Sequence, residues 1–247
     1  ASYGRDFGNE NGLIELLEKI NEIEGIKRIR LGSLEPKIIT EEFMQRLSKL
    51  EKICHHFHLS LQSGCDATLK RMNRKTNKQQ ITDLITKLRN EIPDVTLRTS
   101  LIVGFPGEKK EDFDELAEFV ETAKFDKLGT FMYSKEDGTP AAKLPEQVYG
   151  KTKKSRYDKI MKIQQKISNE NLQKKIGQEV EVLIENMSFD GKYLIGRTKQ
   201  DVPDIDGLIY IKCKDEDLIN QFVKAKIIDV KNYDYIGELV KGISVEK

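Results

Sequence analysis

The sequence predicts an α/β fold: part of a TIM-like parallel barrel, followed by a small all-β barrel of the OB-like kind. Three observations predict it. Residues 1–150 alternate helix-periodic and strand-like stretches in the order α-β-α-β-α-β-α-β, as a parallel sheet with helical crossovers requires. From Gln178 the pattern changes to five short strand-like runs within about 70 residues, which suits a small closed barrel. Between the two, residues 151–175 read as one long basic helix. The expected organisation is therefore an α/β part over 1–150, a linker helix over 151–175 and a β-module over 176–247.

The elements follow in order. Gly12–Gly25 is periodic for a helix, with Leu13, Ile14, Leu16, Leu17, Ile20 and Ile23 on one apolar face. Ile26–Leu31 reads as a short strand, and Thr40 as the N-cap of a helix over EEFMQRLSKL. FHLSL (57–61) alternates as a strand, and Asn77–Asn90 is amphipathic. Val95–Phe105 is the most apolar strand of the chain, Lys110–Lys124 a helix, and Lys127–Ser134 the last strand of the series. The segment 138–150, GTPAAKLPEQVYG, is punctuated by Gly and Pro and leaves the sheet. The later runs are EVEVLIE, KYLIGRT, GLIYIK, FVKAKIIDV and YIGELV.

Composition bounds the function. A chain of 247 residues and 28.4 kDa can bury a core without disulfides or metals. No apolar run approaches the ~18–20 residues of a membrane span, and the first residues carry no secretory signal. Three cysteines, Cys54, Cys65 and Cys213, are an odd number at unhelpful spacings. They exclude a disulfide framework, a zinc ribbon and an iron–sulfur site read from local spacing, and make a reducing cytoplasm the expectation. The net charge of +1 conceals a segregation: residues 151–175 carry net +7, 176–247 net −4 and 1–150 net −2.

The strand ends LGSLEP, LQSGCD, VGFPGE and YSKEDGTP are where ligands gather in parallel α/β folds. VGFPGE joins an apolar strand to a helix. Its glycines let a backbone approach a ligand, and they equally make an ordinary tight turn. Arg98 is a charge inside an apolar strand and must meet a carboxylate, a ligand or solvent. Gln62 and Ser63 either hydrogen-bond at the barrel mouth or cap a turn. His55, His56 and His58 lie near Cys54 and Cys65, but no acidic shell or CxxC accompanies them, so packing is favoured over metal binding. The basic helix either contacts phosphates or is a solvated face.

Taken together, IRLGSLEP (29–36), HFHLSLQSGCDATLKRMNR (56–74), LRTSLIVGFPGE (97–108) and FMYSKEDGTPAAKLPEQV (131–148) resemble the radical S-adenosylmethionine methylthiotransferases, and the terminal module resembles that family's TRAM domain. The resemblance covers essentially the whole chain. Residues 1–75 look most like the branch that modifies threonylcarbamoyladenosine in tRNA. From about residue 76 the chain looks like the branch that methylthiolates an aspartate of a small-subunit ribosomal protein. The family's CxxxCxxC, which holds its radical-generating 4Fe–4S cluster, and the N-terminal domain with a second 4Fe–4S cluster have no match here. The resemblance thus implies the C-terminal part of such an enzyme, inactive in radical chemistry alone, with the ligands of both clusters outside this chain.

It further implies S-adenosyl-L-methionine as cofactor, lined by Ser33, Glu35, Gln62, Ser63, Arg98, Ser100, Ile102 and Val103. The partner implied is the ribosomal protein, with a tRNA anticodon stem-loop as alternative; a non-catalytic RNA- or protein-binding fragment is the competing class. The acidic terminal module suits a basic protein better than RNA, with Asp201, Asp204 and Asp206 as docking residues and Asp215, Glu216 and Asp217 in a second acidic loop.

Overall fold

The computed structural model describes residues 3, 4, 6 and 8–240. Two compact units divide the chain, 1–165 and 166–247, and the division falls inside the basic helix.

The first unit is built on a four-stranded parallel sheet in sequential order. Its strands are β1 (Ser33–Leu34), β2 (His56–Gln62), β3 (Thr96–Val103) and β4 (Lys127–Met132). Helices α1 (Gly12–Glu22), α2 (Glu41–Leu47), α3 (Asp66–Arg71), α4 (Lys78–Glu91) and α5 (Lys110–Ala123) connect and flank them. Caps set several boundaries. Thr40 Oγ1 accepts from Phe43 N at 3.1 Å to start α2, and Asn77 and Gln80 form a reciprocal capping box on α4. Helix α5 ends where Lys124 turns left-handed, at φ 47°.

Two elements differ from expectation. The strand expected over Ile26–Leu31 makes only one bridge, Ile29 to Ile53. The ladder with β2 instead forms two residues later, at Ser33–Leu34, and Pro36, which has no N–H to donate, opens a 3-10 turn straight after it. Helix α3 was not expected at all, because six residues are too few to display a period.

Alternation along the strands makes two unlike faces. Leu59, Leu61, Leu97, Thr99, Leu101 and Val103 are buried, and the Thr99 hydroxyl is satisfied by Leu59 O at 2.8 Å. Their neighbours His58, Ser60, Gln62, Arg98, Ser100 and Ile102 are half-buried. The apolar stripes of α4 (Ile81, Ile85, Leu88) and α5 (Phe113, Leu116, Val120) are buried as crossover helices require.

The second unit is a closed barrel in the order β5-β6-β7-β9-β8. The strands are β5 (Glu179–Met187), β6 (Tyr193–Thr198), β7 (Ile209–Lys212), β8 (Phe222–Lys231) and β9 (Asp234–Leu239). All pairs are antiparallel except β7 with β9. Closure leaves no free sheet edge. Val182, Ile184, Leu194, Ile209, Ile211, Ala225, Ile227 and Tyr235 fill the interior, joined by Leu172 from helix α6 (Gly150–Gln173). A Cβ on Gly196 would fall 2.4 Å from Leu183 O, so β5 and β6 cross there at a distance only glycine permits. Among the described residues no helix is long and apolar enough to cross a membrane.

Candidate functional site

The half-exposed face of the first sheet brings together most of the residues singled out from the sequence. Ser33 is registered with His58, and His58 with Arg98. The His58 imidazole lies between two hydroxyls: Ser33 Oγ stands 3.1 Å from Nδ1, and Ser100 Oγ 3.1 Å from Nε2. One hydrogen-bonded row therefore crosses β1, β2 and β3. Arg98 and Ile102 share this face with Ser100 by strand alternation, and on β4 Gly129 and Phe131 stand in register with Ser100 and Ile102. The face offers hydroxyls, an imidazole and a guanidinium beside apolar surface.

Gln62 closes β2 with φ 69°, a left-handed conformation that costs a non-glycine residue about 1–2 kcal/mol. A register shift between Leu59 and Gln62 accompanies it.

The remaining predicted residues sit differently. Glu35 is clamped by Arg74, with Nη2 to Oε2 2.9 Å and Nη1 to Oε1 3.4 Å, and the same guanidinium donates to Ser60 O. Ser63 is fully buried, and its hydroxyl accepts from Cys65 N at 3.2 Å, the turn-capping role. The Val103 side chain departs from the set: it is fully buried on the opposite face, so only its backbone reaches the strand end.

The glycines of VGFPGE serve a tight turn against the basic helix. Gly104 (φ 73°) donates its N–H to Glu108 Oε1 at 2.8 Å, and a Cβ there would meet Lys153 Cγ at 2.4 Å. Glu108 is buried and paired with Arg156 of α6 at 2.5 Å, and Arg156 also donates to Glu108 O at 3.1 Å. Burial pushes the Glu108 carboxyl upward, against the Gly104 N–H and Arg156, which favour its ionised form. Lys153 donates to Tyr133 O at 2.7 Å, and Lys159 stands 3.6 Å from Asp114. Part of the basic helix is thus engaged with its own unit. The N terminus of α5 is likewise occupied from within, since Asp112 accepts from Lys109 N at 3.0 Å.

Among the described residues no cluster of His, Cys, Asp or Glu could hold a metal ion. His55 meets Pro93 O at 3.2 Å, His56 is buried, and His58 belongs to the serine row. Cys54 and Cys65 are buried, Cys213 lies in the other unit, and burial pushes the Cys65 thiol up. These cysteines do not fit an iron–sulfur cluster, which needs thiolates gathered at one point. The polar face does fit a zwitterionic nucleoside ligand, for which it has donors, acceptors and a cation.

In the second unit the acidic loop divides. Asp201 is only 2% exposed and accepts from the Thr198 hydroxyl at 2.6 Å, so it braces the loop from inside, which corrects its expected place on a docking surface. Asp206 accepts from Val202 N at 2.9 Å while half-exposed. Asp204 and Ile205 are exposed at the tip.

Sequence reasoning weighed His58 only as a packing or metal-ligating residue, and it did not single out Arg74, Glu108 or Arg156. His58 could have been placed by matching the parity of HLS to RTS across the parallel ladder. Arg74, Glu108 and Arg156 act through long-range pairs with no local signal.

Two family models match the chain: the radical SAM superfamily over residues 3–120 and the TRAM domain over 176–240. The fold also resembles that of the radical SAM enzyme coproporphyrinogen III oxidase (HemN) from Escherichia coli, at a TM-score of 0.50 and 16% identity over 89% of this chain and 51% of that one. The chain is a radical SAM α/β domain followed by a TRAM barrel.

Similarity along nearly the whole of this chain narrows this. The ribosomal protein uS12 methylthiotransferase RimO of Alkaliphilus oremlandii is 51% identical over 97% of this chain and 55% of its own length. RimO of Lachnoclostridium phytofermentans is 44% identical over 95% and 53%, and RimO of Geobacter sulfurreducens 42% over 97% and 54%. Over nearly its whole length the chain is similar to the RimO family of radical SAM methylthiotransferases, and it spans about half the length of the curated relatives it matches. These alignments include the N-terminal motifs as well as the later ones.

Proposed function

We propose that this chain carries the S-adenosyl-L-methionine-facing strands and the docking module of a methylthiotransferase acting on an aspartate of ribosomal protein uS12. Identity of 42–51% to uS12 methylthiotransferases, running through both units, carries the reading. Ser33, Gln62, Arg98, Ser100 and Ile102 line the cofactor face. Glu35 and Ser63 shape its rim through Arg74 and the Cys65 amide, and Val103 contributes backbone only. When bound there, the cofactor supplies the methyl group and, with an iron–sulfur cluster, the hydrogen abstraction. The chain's own residues bind and orient it, and its cysteines supply no cluster site.

The TRAM barrel docks the protein substrate. A ribosomal protein that packs against RNA phosphates is basic, and the net −4 of residues 176–247 complements it, with Asp204 and Asp206 foremost. The alternative partner, a tRNA anticodon stem-loop, needs a free basic surface, and Lys153 and Arg156 of the basic helix are already engaged. Binding of the whole chain to uS12 and to anticodon stem-loops, at low and high salt, tests this. Salt-sensitive binding to uS12, weakened by Asp204→Lys, is the expected result. Salt-sensitive binding to the stem-loop with none to uS12 would reverse the assignment.

A further inference from the structure

The serine–histidine–serine row across the sheet has a directional property. Adjacent strands run about 4.8 Å apart, so Ser33 and Ser100, two strands from each other, are beyond direct hydrogen-bond reach. The imidazole of His58 spans them because its two nitrogens sit on different edges of one rigid ring, each 3.1 Å from a hydroxyl. The link is diagonal: Ser33 is the registered partner of His58, whereas Ser100 lies two residues beyond its registered partner Arg98.

A neutral imidazole has one N–H and one lone pair. With the His58 ring neutral, one serine accepts from it and the other donates to it. The serine that accepts keeps its own O–H for whatever lies on the face. The serine that donates presents only lone pairs. Two chemically identical hydroxyls become one donor and one acceptor, held at fixed places on a surface that is otherwise half open to solvent.

We propose that His58 is a positioning residue that sets the hydrogen-bond polarity of Ser33 and Ser100 toward the adenosyl cofactor. This rests on the assignment of that face to S-adenosyl-L-methionine. A ligand carrying both an amino group and a carboxylate needs a donor and an acceptor from the protein, and two freely rotating hydroxyls would pay ordering entropy on binding that this row has already lost. His58 touches no reacting atom; it acts through the serines.

The test uses the whole chain and S-adenosylhomocysteine, a probe that carries the same polar groups without the sulfonium. Calorimetry should show His58→Phe, which keeps the ring and loses both nitrogens, binding about tenfold more weakly, the worth of roughly one good hydrogen bond. His58→Asn, whose amide can reach the Ser33 side, and His58→Gln, whose amide can reach the Ser100 side, should each recover part of the loss. Ser33→Ala and Ser100→Ala should each weaken binding in the wild-type background and weaken it by less beside His58→Phe, where the hydroxyls are no longer oriented. Imidazole nitrogen NMR of the ligand-free protein gives an independent reading. One His58 nitrogen should be protonated and the other not, with Ser33→Ala moving the Nδ1 resonance and Ser100→Ala the Nε2 resonance.

Equal binding by wild type and His58→Phe would overturn the positioning role while leaving the cofactor face intact. An absence of binding by the wild type, with the two nitrogens still responding to the serine substitutions, would instead remove the cofactor assignment and the inference with it. Nitrogens indifferent to both serines would overturn the row itself.

Discussion

Replacing Arg156 by Met isolates the contact that seals the VGFPGE turn. Glu108 has a side chain 1% exposed and Arg156 one 11% exposed, so the pair is buried at one end and scarcely wetted at the other. Removing one partner of such a pair strands the other charge, and losses of about 3–5 kcal/mol follow. Two features place the expected loss near the lower bound of about 3 kcal/mol. Glu108 keeps its hydrogen bond from Gly104 N, and Met retains apolar contact with the Phe113 ring, over which Arg156 now stands at 5.4 Å.

The chain has no tryptophan, so far-UV circular dichroism is the natural probe, and it weights the helical first unit over the barrel. At a slope of about 2 kcal/mol per molar urea, the transition of the first unit should move down by about 1.5 M.

The pH dependence has a definite sign. Burial already holds the Glu108 carboxyl above its ordinary 4.5. A raised acid binds its proton more tightly when folded, so its favourable contribution is complete below the ordinary value and is lost as pH rises through the folded one. Without Arg156 the folded value climbs further, and the penalty of Arg156→Met should be largest near neutrality and shrink in mild acid. Adding Glu108→Gln, which removes the stranded charge, should restore most of the stability. A loss under about 1 kcal/mol near neutrality, or one indifferent to pH, would refute the account of a desolvated ion pair.

Other expectations are briefer. Gly64→Ala would put a Cβ 2.1 Å from the Phe119 ring; overpacking of about 1–3 kcal/mol should lower the melting temperature of the first unit, checked by thermal scanning. Asp201→Ala should destabilise the barrel by about 1–3 kcal/mol by stranding the buried Thr198 hydroxyl, whereas Asp204→Asn should leave denaturant midpoints unchanged and weaken only docking. Anaerobic reconstitution with iron and sulfide should leave this chain without a stoichiometric, reducible 4Fe–4S cluster, since among the described residues no group of three His, Cys, Asp or Glu could hold a metal ion. Iron and sulfide analysis decides that point.

The helices and strands with a clear period were legible: the amphipathic stretch after Asn77, the alternation of FHLSL, the apolar run of β3 and all five barrel strands lie where the sequence places them. What escaped was set by geometry beyond the local window. Ile26–Leu31 is strand-like in sequence, yet it makes a single parallel bridge, Ile29 to Ile53, and the ladder with β2 forms at Ser33–Leu34. Asp201 and Asp204 look equivalent in DVPDID, and only the turn decides that one folds inward onto Thr198 while the other points out. The partners of Glu35 and Glu108 lie 39 and 48 residues away, and no periodicity announces them.

Strand alternation supplies a physical reason to expect a ligand on the polar face. Parallel strands covered by helices on one side and by a packed barrel interior on the other carry apolar residues throughout. β2 and β3 do not: HFHLSLQ and TLRTSLIV bury every second residue and place an imidazole, two serines, a glutamine and an arginine between them. Filling that interior with protein would strand these groups at a cost of several kcal/mol unless each met a partner. A polar, rigidly held ligand returns the hydrogen bonds that a packed core denies. The apolar face stabilises the sheet, and the polar face is the one proposed to take the ligand.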